Sequence, residues 1–472
     1  MPKEVDVVVL GLGTGGEDLA LQLLDGGLDV VGVESQLVGG ECPYWACIPT
    51  KMAIRAANLL AEGRRIDGVA GRAQVTPDWS QVAGRIRQEA TGGWDDSAAV
   101  SRFEARGGSF VRGRGRLGGP RTVVVDDAGS FTARLGVVVA TGSQPNVPPI
   151  PGLDRIPYWT TREAIAAETV PKSLIVLGGG PVGCELAQVF ARFGSEVSIV
   201  EGQSRLLPHD EPEASELLTA AFQGEGIGLH LGNRVTGADH EDGRSRLYLD
   251  DDTSLTADRV LIAAGRAVDL EDLGLEHAGI DTERGHLEVD ERMRAGEGIW
   301  AMGDVTGKSM FTHVALHQSS VIATDILGGD PDPIDYDSLP RVTFTDPEVA
   351  SVGLTEAQAR QRGIDTAVAV KNMSSTFRGW LHDTGQDGVI KLVIDRERDV
   401  MVGGTVAGPN AGETVGLVSL AVHERVPIEA LRRMTYPFPT FHGGIGEVLG
   451  AYARGTGTVI DPEYKARAYL RA

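Results

Sequence analysis

No stretch of about 18 uncharged apolar residues occurs in the chain, so a membrane-spanning helix is not expected. Cysteine is nearly absent. Three in 472 residues are too few for a disulfide-stapled secreted scaffold. Positive charge is in deficit as well. Lys and Arg number 44 against 66 Asp and Glu, and the net charge of -22 argues against nucleic acid and anionic membrane surfaces as partners. The opening "MPKEVDVVVLGLGTGGEDLA" lacks the long apolar core and small-residue cleavage site of a secretory signal. Its apolar run is short, broken by glycine and followed by Glu17 and Asp18, so it reads as a buried strand. The cytoplasm is the expected compartment. A hydrophobic content of 42% and a charged content of 23% are those of a soluble globular protein, long enough for two to four domains.

Glycine, by contrast, is abundant and patterned. In "VDVVVLGLGTGGEDLALQLLDGGLDVVGVE", Gly11, Gly13 and Gly16 form G-x-G-x-x-G directly after an apolar run, and a second apolar run ends on Glu34. The layout recurs in "SLIVLGGGPVGCELAQVFARFGSEVSIVE" with Gly178, Gly180, Gly183 and Glu201. Glycines at these places allow a tight turn and a close approach of backbone to a pyrophosphate. The helix that follows offers free N–H groups at its positive end. A carboxylate on the next strand tip can accept from ribose hydroxyls. Two such units imply two dinucleotides, and a flavin with a nicotinamide is the usual combination. Glu201 would accept from a free 2′-hydroxyl and repel a 2′-phosphate, which favours NADH over NADPH, although Arg205 lies close enough to oppose that preference.

Two further strand-then-glycine segments fit the same layout. "LGVVVATGSQP" places Thr141 and Gly142 after a buried strand, and "DRVLIAAGRAVD" places Gly265 after another. These read as chain crossings between nucleotide domains. "GIWAMGDVTG" puts Gly303 and Asp304 at a strand end, where a carboxylate either holds a ribityl or ribose hydroxyl or simply caps the strand.

Two of the three cysteines, Cys42 and Cys47, fall in "GGECPYWACIPTK". A structural zinc site needs about four Cys/His ligands, and no His lies near this segment. A plant-type iron–sulfur site begins C-x4-C but requires two more cysteines, and only Cys184 remains. A redox pair and two inert core thiols are the readings left. Gly39 and Gly40 before a Pro43-started helix suit a helix N-terminus, whose dipole lowers a thiol pKa. Five residues of separation is about one and a half turns, so a regular helix would hold the sulfurs apart and the first turn must be distorted for a bond to form. Cys184, on the second glycine-rich turn, reads as a small packed residue.

Taken together, the first G-x-G-x-x-G, "GGECPYWACIPTK", "VVVATGS", "GGGPVGCE", "VLIAAGR", "AMGD" with the following "THVALHQ", and "VTFTDPEVASVGLTE" resemble the flavoprotein disulfide reductases over nearly the whole chain. These are the FAD-dependent pyridine nucleotide-disulfide oxidoreductases, which include dihydrolipoamide dehydrogenase, glutathione reductase and mercuric reductase. The resemblance implies an α/β fold: two Rossmann-like dinucleotide-binding domains and an α+β C-terminal dimerisation domain. A FAD domain would span 1–148 and 270–336, an NAD(P)H domain 149–269 and the interface domain 337–472 of a homodimer. FAD would be held by Gly11, Gly13, Gly16, Glu34, Gly40, Thr141, Gly142, Gly265, Gly303, Asp304 and Ala315. NAD(P)H would use Gly178, Gly180, Gly183 and Glu201. Cys42 matches the interchange thiol that meets the substrate, and Cys47 the charge-transfer thiol that faces the flavin. Lys51 and Glu185 match an ion pair beside the flavin.

The chain also departs from that pattern. Where dihydrolipoamide dehydrogenase and glutathione reductase carry a catalytic His-Pro-Thr followed by a Glu, this chain reads "TYPFPTFHGGIGE", with Phe438 at the His position and Gly443 at the Glu position. His442 and Glu447 are off register, and His442 reaches the site only if its loop bends. Phe cannot transfer a proton, so reduction of an ordinary disulfide should lose the roughly 10²–10⁴-fold that proton transfer contributes. "PEYKARAYLRA" carries no cysteine, unlike the tails of mercuric and thioredoxin reductases. The loop itself, with Pro after the first Cys and Ala before the second, looks like 2-ketopropyl-coenzyme M oxidoreductase/carboxylase, although Lys51 is retained here. Glu41 stands where the family has a Thr near the FAD phosphates.

The expected activity is transfer of electrons from NADH through FAD to a Cys42–Cys47 disulfide, and from there to a small-molecule thiol or disulfide acceptor. The alternatives are direct reduction of a quinone or dye by the flavin, a 2-ketopropyl-coenzyme M or mercuric reductase-like activity, and a FAD-binding redox sensor that does not turn over.

Overall fold

The computed structural model describes residues 2–455 and the backbone of Thr458–Val459. Apolar runs set its framework. In the strand Lys3–Leu10, residues Val5, Val7, Val8 and Val9 are all buried, as expected of a parallel strand covered on both faces. This strand pairs in parallel with Val30–Glu34 on one side and Gly129–Val139 on the other. Beyond them lie Ser109–Arg112 at one flank and Ile299–Ala301 at the other, so the sheet draws strands from two separated parts of the chain.

A second parallel sheet repeats the scheme, in the order Gly228–Leu231, Glu196–Glu201, Ser173–Leu177, Arg259–Ile262, Tyr158–Trp159. In both sheets the central strand runs into a glycine turn and then a helix, Thr14–Asp25 in the first and Pro181–Arg192 in the second. Pro181 opens the second helix, where its missing N–H costs nothing. A small antiparallel sheet of Val235–Glu241, Arg244–Leu249 and Ser254–Ala257 is inserted before the fourth strand.

The C-terminal part is different. Its sheet follows the order Pro340–Thr343, Glu348–Gly353, Val400–Gly408, Val389–Asp395, Thr366–Asn372, and these strands pair antiparallel. The helices Ala411–His423 and Gly443–Ala453 cover it and share one core with its strands.

A buried cation ties this part to the second parallel-sheet unit. Lys391, on a central strand, is 3% exposed, and its Nζ lies 2.9 Å from Glu211, 2.8 Å from Glu213 and 2.8 Å from Glu356. Three carboxylates on one ammonium satisfy all its protons and hold the start of the helix Pro212–Gly224 against the sheet. Removing that cation leaves three close carboxylates with no counter-charge, so Lys391→Met should cost about 3–5 kcal/mol in urea unfolding. Glu213→Gln, which removes one outlying carboxylate, should cost far less; equal midpoints for both variants and the wild type would contradict this role.

Candidate functional site

The two glycine turns are near copies at atomic level. A Cβ on Gly11 would stand 2.4 Å from the Ala140 carbonyl oxygen, and one on Gly178 would stand 2.3 Å from that of Ala263. A Cβ on Gly16 would meet the Gly11 carbonyl oxygen at 2.1 Å, and one on Gly183 that of Gly178 at 2.0 Å. Gly13 and Gly180, by contrast, face open space on the concave side of each turn. So the outer glycines let strand, turn and helix pack, while the middle one leaves room for something else to approach. The strand-tip acids behave alike too. Glu34 accepts from Leu12 N at 2.8 Å and Gln36 N at 2.7 Å; Glu201 accepts from Gly179 N and Gln203 N, both at 2.7 Å. Each carboxylate is thereby aimed along the turn and keeps lone pairs free for further donors. Arg205 spends its guanidinium on the carbonyls of Pro208 and Asp210, while the stem of Arg234 lies against Gly202, beside Glu201.

The first cradle is completed by other segments. Gly40 comes so close to Gly13 that a Cβ would lie 2.8 Å from its Cα, and its φ of 68° is in the region that favours glycine. Thr141 and Gly142 follow the strand Gly129–Val139, and Gly265 follows Arg259–Ile262. Gly303 N donates to Gln318 Oε1, and Ala315 packs its methyl against Gly15, which draws the helix Thr312–Ile326 onto the first glycine helix. Asp304 accepts from Ser143 Oγ and lies 3.4 Å from Arg266 Nε. Glu41, at the position where the resemblance expects Thr, is held by Arg162 through Oε1. Its Oε2 is buried without a hydrogen-bond donor, 3.9 Å from Arg266 Nη1. An orphaned acceptor, a second carboxylate and a glycine cradle side by side fit the hydroxyl-rich chain and pyrophosphate of FAD. They also answer the departure at Glu41: its orphan oxygen matches a hydroxyl donor better than a phosphate.

The cysteines sit where the chain breaks a helix. Glu41–Tyr44 forms one short turn, Trp45 (φ -131°, ψ -12°) and Ala46 (φ -130°, ψ -98°) leave helical geometry, and Cys47 opens the helix Cys47–Arg64. The expected distortion is therefore a full break, and it brings the two thiols close enough to shift each other's titration. The expected disulfide is not formed here: both are free thiols. The effect is asymmetric. Cys42, which donates to Cys47 and is partly buried, is pushed up. Cys47 is brought down to about 6, first because Cys42 donates to it, and then, against the cost of burial, because of Thr312 and the charge of Lys51. Thr312 Oγ1 lies 3.5 Å from Cys47 Sγ. Lys51 Nζ is 2.7 Å from Glu185 Oε2 and 4.8 Å above the Phe344 ring; Glu185, 3% exposed, takes its second bond from Phe344 N. Cys184 is fully buried and donates to the Gly179 carbonyl, a packed thiol.

Phe438 and His442 are not part of this cluster within one chain. They sit on the C-terminal domain beside a cavity of about 550 Å³ whose lining, from Val370 to Arg454, contains neither cysteine. Phe438 is 74% exposed and meets Phe377 edge to face at 5.2 Å. Glu447, the off-register acid, is engaged by Lys371 at 2.5 Å. The segment "PEYKARAYLRA" lies outside the described residues.

Arg162 and Trp94 join the site from outside the recognised motifs, while Ser143 closes "VVVATGS". Thr312 and Arg266 carried a faint signal, since they open "THVALHQ" and close "VLIAAGR".

Comparison with known proteins agrees with this geometry. A family model described as pyridine nucleotide-disulphide oxidoreductase matches residues 5–319, and one for that family's dimerisation domain matches 339–449. A dihydrolipoyl dehydrogenase of Chlorobaculum tepidum is 35% identical over 95% of this chain and 97% of its own. A mercuric reductase of Acidithiobacillus ferrooxidans is 33% identical over 96% of this chain and 83% of its own. Among solved structures, a Cu(II) complex of the HOCl-induced flavoprotein disulfide reductase RclA from Escherichia coli superposes with a TM-score of 0.83 at 26% identity, covering 95% of this chain and 99% of the other. The chain belongs to the pyridine nucleotide-disulphide oxidoreductase family, an FAD-dependent group of oxidoreductases that use NAD(P)H.

Because Gly180 has room for a methyl, Gly180→Ala should leave the melting temperature within about 2 °C while weakening nicotinamide dinucleotide binding at least tenfold. Gly183→Ala should instead destabilise the fold itself, since its methyl meets a backbone oxygen. Unchanged dinucleotide binding in Gly180→Ala, measured by calorimetric titration, would contradict the assignment of this turn. In the reduced protein, the ultraviolet absorbance of a cysteine thiolate should appear with a midpoint near pH 6 and move upward in Cys42→Ala, which removes the leading cause. A midpoint that stays put would place the lowered thiol elsewhere.

Proposed function

We propose that the protein is a homodimeric NADH-dependent flavoenzyme of the cytoplasm that passes electrons through a Cys42–Cys47 dithiol/disulfide pair to a thiol-reactive small molecule. The observation that carries this reading is the pairing of two thiols across a broken helix, one held down to about 6 beside Lys51 and Thr312. FAD, when bound along the first cradle, supplies the relay of electrons between the nicotinamide and the sulfur pair. The division we propose, 1–148 with 270–336, 149–269 and 337–472, is supported by the separate parallel sheets and the antiparallel C-terminal sheet among the described residues. Dimerisation is supported by the match at 339–449 and by the exposed apolar side chains of Phe377, Trp380, Leu381 and Phe438 there.

In the reduced pair, Cys47 is the standing thiolate and Cys42 holds the proton they share. Attack by Cys42 sulfur on a disulfide acceptor releases one thiolate; attack by Cys47 on the Cys42 sulfur then releases the second and leaves the Cys42–Cys47 bond. Two electrons pass to the acceptor, and the single proton that Cys42 held leaves with one product thiol or to water. Lys51, fixed by Glu185, stabilises negative charge at Cys47 throughout. Phe438 stands where the family carries its acid, so neither departing thiolate is protonated from that position. An acceptor whose thiol leaves readily as the anion is therefore favoured. A mercuric activity is not favoured, because the only thiol beyond the pair is the buried Cys184.

With 5,5′-dithiobis(2-nitrobenzoate), whose thiolate departs unaided, turnover should exceed that with lipoamide by 10² or more, in line with the missing proton transfer. Cys42→Ser should abolish turnover of the aromatic disulfide. Retained disulfide turnover in that variant would overturn the thiol route in favour of direct transfer from the flavin. NADH should be used with at least tenfold higher kcat/KM than NADPH, because a carboxylate at the Glu201 strand tip would accept from a free 2′-hydroxyl and repel a 2′-phosphate; a preference for NADPH would instead implicate Arg234.

A further inference from the structure

Trp45 lies between the two cysteines, at the point where the helix breaks, and it is not left to itself. The Trp94 ring stacks on it, with centroids 5.3 Å apart and planes 18° from parallel. The Arg162 guanidinium also lies over the Trp45 ring, at 5.7 Å. The same guanidinium binds Glu41 Oε1 with Nε at 2.9 Å and with Nη2. Arg162 thus grips the loop on both sides of Cys42, at Glu41 and at Trp45.

Each grip is itself anchored. Arg162 is in the first turn of the helix Thr161–Ala166, which is locked by a capping box between Thr160 and Glu163. Trp94 is held at φ 60°, uncommon for a bulky residue, and Arg87 lies over its ring at 6.0 Å while pairing with Glu168. Trp94 and Arg162 come from two separate segments and converge on one indole.

The need for such a clamp follows from helix geometry. If residues 41–51 ran on as one regular helix, Cys42 and Cys47 would be separated by about 7.5 Å along the axis and about 140° around it. The sulfurs would then share neither a hydrogen bond nor a disulfide. Trp45 N and Ala46 N both donate to the Glu41 carbonyl at 2.8 Å, which ties the break on the main chain, while the Trp45 side chain is held by Trp94 and Arg162.

We propose that Arg162 and Trp94 are positioning residues for the thiol pair: by fixing Glu41 and Trp45 they keep the helix broken and hold the Cys42 sulfur against that of Cys47. The proposal rests on the reading of that pair as redox-active. Loss of either residue lets the reduced loop drift toward a continuous helix. The reduced dithiol then gains freedom that the disulfide does not, so the pair becomes easier to reduce and harder to re-form. The Cys47 thiolate, losing its donor, titrates at higher pH.

The experiment uses FAD-loaded protein and four variants: Arg162→Ala, Arg162→Lys, Trp94→Ala and Trp94→Phe. Two quantities are read: the pH midpoint of the long-wavelength thiolate–flavin absorbance in two-electron-reduced protein, and the dithiol–disulfide equilibrium against a glutathione buffer. Arg162→Ala and Trp94→Ala should raise the pH midpoint and shift the equilibrium at least tenfold toward dithiol, about 30 mV more positive. Trp94→Phe should stay near wild type because it keeps a stacking face. Arg162→Lys should fall between, since an ammonium can pair with Glu41 but cannot lie flat on an indole. Wild-type values in both alanine variants, with full FAD content and unchanged melting, would overturn the clamp and leave the redox reading standing. Absence of the long-wavelength band from the unmutated protein would overturn the redox reading, and the clamp with it.

Discussion

A helix that stops for two residues governs most of the chemistry available to this chain. Cys42 and Cys47 belong to one continuous segment whose glycine-preceded start and Pro-containing turns favour helix on both sides. Only the departure at Trp45 and Ala46 lets their sulfurs meet. Once they meet, each thiol shifts the other, Cys42 upward and Cys47 downward, and Thr312 with Lys51 adds to the lowering of Cys47. Lys51 is in turn held by a Glu185 that is buried on the second glycine helix, so the thiol site depends on how two nucleotide-binding units are packed together.

That packing rests on repetition. The same contacts recur at both turns: the first glycine against a carbonyl at the end of the neighbouring strand, the third against the turn itself, and a strand-tip carboxylate that accepts from two backbone N–H groups. The copies differ in what surrounds them. The first is crowded by Gly40, Glu41, Ser143, Asp304 and Arg266, whereas the second keeps a Glu at its tip and turns its nearest sequence cation, Arg205, toward backbone carbonyls. Lys391, bridging three glutamates, keeps the C-terminal sheet attached to this assembly.

How much of this could be read from sequence follows from the range of each interaction. Glycine spacing after an apolar run reports a local turn, so both cradles and their strand-tip acids were legible before any coordinate. The separation of the cysteines was legible too, including the need for a distorted first turn, because helix periodicity is also local. Arg162 and Trp94 were not. They approach Trp45 from segments 117 and 49 positions away in the chain, and no periodicity links a residue to a ring that distant folding brings beside it. Thr312 and the orphaned Glu41 oxygen are of the same kind. By identity alone Glu41 is a departure from a Thr near the FAD phosphates; in the structure it lies between Arg162 and the Arg266–Asp304 pair, with one buried oxygen that takes no donor. The substitution of Phe438 for a His is plain in the sequence, while its placement on the C-terminal domain, away from the thiols of its own chain, belongs to the tertiary structure.

The most direct test of a flavin-coupled thiol pair is an anaerobic titration of the FAD-loaded protein with NADH, followed by its absorbance. The expected result is a long-wavelength band after two electrons, with bleaching of the flavin only as four are taken up per subunit. Complete bleaching after two electrons, with no such band, would contradict it.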